Sequence, residues 1–178
     1  MEWLFESKIA LRCISNTDPN IAMNLYNDPK KVKACLLDTG ILITLSFDVG
    51  VTGPSVLVQL AKSKLSVNEG MLFENIVAQE LTSSGCPLCF HEFYTDGDDK
   101  HLYEVDFILV KSGKIVPIEV KSFISTRHAS LDKFMEKYRR RISGSVVIHS
   151  KDLGIDGDVR YIPVYMTSLL GESMRTSR

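Results

Sequence analysis

Residues 103–122 read Tyr-Glu-Val-Asp-Phe-Ile-Leu-Val-Lys-Ser-Gly-Lys-Ile-Val-Pro-Ile-Glu-Val-Lys-Ser. Apolar runs rich in Val and Ile flank Ser112-Gly113, the pattern of two strands joined by a tight turn. Charged residues interrupt both runs: Asp106 on the first, Glu119 and Lys121 on the second. Val105, Phe107, Ile108, Leu109, Ile115, Val116, Ile118 and Val120 leave no clearly solvated face, so both strands are expected to be central. The alternative is a surface hairpin carrying a salt bridge. Unpaired buried charge is expensive, so a buried strand carries such residues only with a use for them. Two acidic ligands and a lysine are a minimal kit for metal-assisted attack of water on a phosphodiester.

Strand side chains alternate faces, which puts Glu104 with Asp106 and Glu119 with Lys121. One hairpin register brings Asp106 opposite the Glu119–Lys121 pair. Two carboxylates so close repel unless a cation sits between them. Mg²⁺ is the expected cation, with Mn²⁺ as a substitute, because it takes one or two carboxylates together with waters and phosphate oxygens. Lys121 is then placed to orient or deprotonate the attacking water, or to stabilise charge developing on phosphorus.

Outward from this hairpin the chain reads as alternating elements. Leu72, Phe73, Ile76, Val77 and Leu81 have helical spacing from Asn68, and Gly85 with Pro87 ends that helix. Residues 88–94 are expected as a strand, 95–100 as a polar turn, 102–110 and 114–122 as the two strands of the hairpin. Ser130 is the expected N-cap of a helix whose apolar face is Leu131, Phe134, Met135 and Tyr138 and which runs to Arg141. Strands are expected at 145–149 and, after the Asp156-Gly157 turn, at 159–166. Upstream, 9–14 reads as a short strand, and 32–47 as a helix or a buried strand, since periodicity does not decide between them. Residues 48–66 read as a connection with a short helix at 55–61. The order helix, three strands, helix, strand predicts an α/β fold, a mixed central sheet flanked by helices.

A net charge of −1 gives the whole chain no affinity for polyanions, but the distribution is uneven. Residues 1–110 carry a net −7 and residues 111–141 a net +6. Lys133, Lys137 and Arg141 recur every four residues and are expected to share a helix face; with Arg139 and Arg140 they form a candidate grip on a DNA backbone. A solvated basic face is the equally weighted reading. No positive segment followed by an apolar run opens the chain, and no apolar run nears the ~18 residues that span a bilayer, so a cytoplasmic protein without membrane contact is expected. Its four cysteines are then expected to be free. Cys86 and Cys89, with His91 nearby, lack the second pair a structural zinc site needs and read as small buried hydrophobes.

Five segments carry a family resemblance: 69–81 (Glu-Gly-Met-Leu-Phe-Glu-Asn-Ile-Val-Ala-Gln-Glu-Leu), Glu104-Val-Asp-Phe, Pro117-Ile-Glu-Val-Lys-Ser, Ser130-Leu-Asp-Lys-Phe and Tyr161-Ile-Pro-Val-Tyr-Met. Together with Leu37-Asp-Thr-Gly-Ile-Leu they resemble the C-terminal domain of unknown function, family 4143, carried by many prokaryotic AAA-type ATPases. That domain belongs to the PD-(D/E)xK, restriction-endonuclease-like superfamily. The D…E-x-K motif by itself is moderately specific; its position between G-x-x-x-E and a lysine-bearing helix is more so. Val105 stands where the superfamily motif has proline, a tolerant position.

The resemblance implies an α-β-β-β-α-β core, metal-ligand roles for Asp106 and Glu119, and a catalytic role for Lys121. It adds Glu74 as the first-helix glutamate that completes the site, with Glu80, inside the apolar stripe, as a rival. It also implies a division into an N-terminal linker or winged-helix remnant and docking segment (1–47), a connection (48–66) and a nuclease-like domain (67–178). Relatives usually begin with an ATPase, but no G-x-x-x-x-G-K-[ST] is present here; the alternatives are a truncated relative, a separated module that works with a separate AAA-type ATPase, or a fragment of a longer chain. The leading expectation is Mg²⁺-dependent hydrolysis of DNA, by a homo-oligomer if two strands are to be cut. The alternatives are a catalytically idle nucleic-acid or protein-docking module of an ATPase, and an interaction domain that binds no nucleic acid.

Overall fold

A computed structural model describes residues 2–46, 68–95, 101–122 and 128–175. The expected connection at 48–66 and most of the polar turn at 95–100 lie outside them. The 112–113 turn is where the folding logic is most local. Ser112 and Gly113 both have positive φ (50° and 70°), the two-residue turn whose twist matches a hairpin. It joins β5 (Phe107–Lys111) to β6 (Lys114–Val120), paired antiparallel with Phe107 opposite Ile118 and Lys111 opposite Lys114.

The expected single strand over 102–110 is divided. β4 (Leu102–Val105) pairs antiparallel with β3 (Cys89–Tyr94), and the chain bends at Asp106 before β5 pairs with β6. The Asp106 carboxylate accepts the Val120 amide at 2.7 Å, so its side chain takes a bond that belongs to the ladder. One chain segment therefore serves two sheets. The first has the order β2-β1-β3-β4, with β1 at Ala10–Asn16 and β2 at Asn27–Leu36. The second has the order β5-β6-β7-β9-β8, with β7 at Ser145–His149, β8 at Gly154–Asp156 and β9 at Val159–Pro163. Both are mixed. Five α-helices among the described residues flank them: α1 (Glu2–Glu6), α2 (Thr39–Leu45), α3 (Glu69–Ser83), α4 (Ala129–Tyr138) and α5 (Thr167–Arg175). The α/β class holds, with two sheets where one was expected. From α3 the order is helix, three strands with the second bent, helix, strand, as the sequence predicts.

α3 starts where Asn68 accepts the Met71 amide and ends before Gly85 at φ 75°. It buries Val77, Ala78 and Leu81 against Phe107, Ile118 and Val120, each large side chain contributing about 1.5–3 kcal/mol. α4 covers the other side, setting Phe134 against Ile108 and Ile115, and Leu131 against Val147.

Several boundaries differ from expectation. The 32–47 segment is both things: β2 ends at Leu36 and α2 begins after Asp38, whose carboxylate caps the Gly40 and Ile41 amides. α4 begins two residues earlier than a Ser130 cap requires. His128 holds the N-cap position in extended φ, with its ring against Asp132, and Ser130 lies in the first turn. α4 also stops at Tyr138. Residues Arg139–Arg141 form a 3-10 turn, drawn aside by Arg141, which pairs with Asp18 and donates to the Pro19 carbonyl at 3.0 Å. β9 ends at Pro163, which has no amide for the ladder, and Val164–Met166 turn as 3-10 helix into α5, an element the sequence reading lacked. All four cysteines are free, and Cys86 and Cys89 are buried. No helix among the described residues is long and apolar enough to cross a membrane.

Candidate metal and phosphodiester site

The hairpin register carries Asp106 to the position opposite Glu119, since Phe107 faces Ile118 one step further in. Glu119 sits on a central strand, between β5 and β7, and only 4 % of it is exposed. Lys121 follows directly after β6. Its amide donates to the Ile148 carbonyl at 2.8 Å and its ammonium to Glu119 Oε1 at 2.6 Å. Glu119 Oε2 is buried with no hydrogen-bond partner. Two neutral groups, Asn16 Oδ1 and Thr82 Oγ1, share that condition. Leaving a buried charged oxygen bare costs more than leaving a neutral one.

The carboxylates act on one another. Asp106 is held well above the usual carboxylate range, first by burial and then by the charges of Glu119 and Glu74, which outweigh the Val120 amide. Burial also pushes Glu74 up, with Glu104 and Glu119 adding to it and Lys33 opposing. Glu119 rises through burial, partly offset by Lys121. The helix glutamate in electrostatic reach of Asp106 is thus Glu74, the position the resemblance favours over Glu80. Asp106, Glu119, Lys121 and Glu74 come from three separate elements; Lys121 is bonded to Glu119, and Asp106 lies in electrostatic reach of Glu119 and Glu74.

The expected basic grip is placed differently. Lys133 pairs with Glu136 at 2.9 Å along its own helix, Lys137 donates to the Tyr94 carbonyl at 2.9 Å, and Arg141 pairs with Asp18. Arg139 and Arg140 are exposed on the 3-10 turn. The five do not form one helix face.

Two groups escaped the sequence reading. Lys33 on β2 forms an ion pair with Glu104 and lies over the Phe90 ring, 4.8 Å from its centroid. His128 bridges Asp132 (2.9 Å) and the Tyr161 hydroxyl (2.8 Å). Lys33 was not legible, because its partner Glu104 lies 71 positions away in sequence.

The donor set is oxygen-rich and hard. Among the described residues no three His, Cys, Asp or Glu side chains are gathered tightly enough to enclose a metal ion unaided. Asp106, Glu119 and Glu74, the expected ligands, are therefore not drawn into a three-carboxylate cluster.

Residues 69–166 match the family model described as Domain of unknown function (DUF4143). The match covers more than half of the chain, which therefore belongs to that family. Neither the curated proteins nor the solved structures contain a match to it.

Proposed function

We propose that this member of the DUF4143 family hydrolyses DNA phosphodiester bonds at a divalent-metal site of the PD-(D/E)xK kind, in partnership with an AAA-type ATPase. The observation that carries the reading is Glu119: a buried carboxylate with one oxygen bare, facing the half-buried carboxylate of Asp106, whose pKa it helps to raise. Such an arrangement is unfavourable alone and becomes favourable around a cation. Asp106 and Glu119 would hold Mg²⁺ or Mn²⁺, with Glu74 beside them. A bound divalent ion supplies Lewis acidity at a phosphoryl oxygen and a more acidic water. The chain supplies the rest. The Asp106–Val120 bond fixes one carboxylate, and the Lys121 ammonium, held by Glu119 Oε1, is a donor for a phosphate oxygen or for the attacking water.

The test is Mn²⁺ calorimetry on the wild type and Asp106→Ala, followed by cleavage of duplex, branched and single-stranded DNA. Binding in the wild type that is lost in the variant, with metal-dependent cleavage, is the expected outcome. Mn²⁺ binding that survives Asp106→Ala would sink the proposal.

A second reading is a catalytically idle docking module for nucleic acid or protein, and one observation favours its protein-docking form: Lys133, Lys137 and Arg141 are engaged within the protein, leaving fewer cations for phosphates. Neither cleavage nor salt-dependent DNA binding would select that form; DNA binding without cleavage, unchanged by Lys121→Ala, would select the nucleic-acid form.

A further inference from the structure

β3 and β4 place Glu92 directly opposite Glu104. Like charges in that relation destabilise a sheet. The neutralising charges come from a different part of the chain: Lys31 and Lys33, two apart on β2, pair with Glu92 and Glu104 respectively. The two ion pairs are alike in kind and unlike in place. Lys31 is half-exposed, at 50 %. Lys33 is more enclosed, lies over Phe90, and is in electrostatic reach of Glu74 and Asp106 as well as Glu104. Burial pulls its ammonium pKa down, but the bond to Glu104 and the charges of Glu104, Glu74 and Asp106 more than reverse that.

The strand that carries Lys33 is fixed to the helix that carries Glu74. Asn75 Oδ1 accepts the Leu36 amide at 2.7 Å, its Nδ2 donates to the Leu36 carbonyl at 3.0 Å, and Gln79 donates to the same carbonyl at 2.9 Å. Asn75 is the residue after Glu74, so the end of β2 cannot shift without disturbing that turn of α3.

We propose that Lys33 is the resident counter-cation of the acidic site, delivered by β2 to balance Glu74, Glu104 and Asp106, and that it sets how tightly the site takes a divalent cation. This rests on the metal reading above for its consequence and on the ion-pair geometry for its cause. A fixed positive charge near the carboxylates lowers the affinity for a second cation; moving or removing Lys33 raises it. The N-terminal strands thereby become part of the site.

The experiment measures Mn²⁺ binding by calorimetry, and melting in chelator, for the full chain carrying Lys33→Met, Lys31→Met or Glu104→Gln. Lys33→Met should bind Mn²⁺ about five- to tenfold more tightly than wild type, the size expected for losing one nearby charge. Lys31→Met should bind as wild type. Glu104→Gln should bind more weakly, because it removes an acid and turns Lys33 onto the remaining two. Equal affinities for Lys33→Met and wild type, or an equal gain in Lys31→Met, would overturn the proposal. Should Lys33→Met fail to fold, the sign of the Glu104→Gln effect decides. Should wild type bind no Mn²⁺, the metal reading falls by itself, and melting then judges Lys33: a loss larger than in Lys31→Met that adding Glu104→Gln repairs upholds the counter-cation, and equal losses refute it.

Discussion

His91 and Glu119 are both polar, both on strands and both almost fully enclosed, at 2 % and 4 % exposure, yet they are buried on different terms. His91 uses its whole hydrogen-bonding capacity. Nδ1 donates to the Asn16 carbonyl at 2.6 Å, and Nε2 accepts from the Tyr138 hydroxyl at 3.0 Å, so a single neutral tautomer satisfies both partners. Phe93 stacks on its ring at 5.7 Å and Phe134 meets it edge-on at 5.7 Å. Glu119 satisfies one oxygen with Lys121 and leaves the other bare beside like charges. The satisfied group ties the Asn16 end of β1 to β3 and α4 and so serves the fold. The unsatisfied one works against the fold, which is what a site awaiting a ligand looks like energetically.

The comparison predicts opposite signs for truncating the two. His91→Ala removes a ring packed against Phe93 and Phe134 and takes a hydrogen bond from the Tyr138 hydroxyl, so it should destabilise the protein by about 3 kcal/mol. Urea unfolding measures it, and a loss below about 1 kcal/mol would mean that the region relaxes or admits water. Glu119→Gln should do the reverse. It keeps an oxygen for Lys121 and replaces the bare anionic oxygen with an amide that can donate to a neighbouring carboxylate. In chelator it should gain about 1 kcal/mol of stability while losing Mn²⁺ binding, the exchange of function for stability expected at a strained site. A destabilised Glu119→Gln would show that Oε2 is compensated in the metal-free protein and would erase the contrast.

What the sequence makes legible follows from the range of the interactions. The 112–113 turn and the Asp106–Glu119 register are fixed by one tight hairpin, and both are readable. Lys121 and Glu119 share a strand face and could be paired on paper. The bend at Asp106 could not, because it depends on β4 finding β3 while β5 finds β6. Residues 32–47 were ambiguous for the same reason: Leu36 ends β2 because Asn75 and Gln79, some forty positions on, take up its backbone groups. The Lys33–Glu104 pair spans 71 positions, and Arg141–Asp18 spans 123, which is why the first was missed and the second broke the expected basic face. Asp106, Glu119 and Lys121 could be brought together on paper; Lys33, which pairs with Glu104, could not.

The smallest effect is a pH dependence that belongs to His91. Burial holds its imidazole below the ordinary value of 6.5, with the Asn16 carbonyl partly opposing. Asp18, Glu92 and Lys137 are the charges that face it, the first two favouring protonation and the last opposing it. Above pH 6.5 the folded and unfolded chains both carry a neutral ring and His91 adds no slope. Below it the unfolded chain takes up a proton that the folded chain refuses, so stability falls as pH falls, and the slope ends once pH passes the folded value. The carboxylates of the acidic site titrate too, which makes the wild-type curve a composite. The difference between wild type and His91→Gln isolates the histidine. Wild type should be the more stable at pH 7.5, and its advantage should shrink from pH 6.5 downward. An advantage constant across that range would mean that the ring is protonated in the fold, that Nε2 donates to Tyr138, and that the region taken here as fully satisfied carries a buried charge of its own.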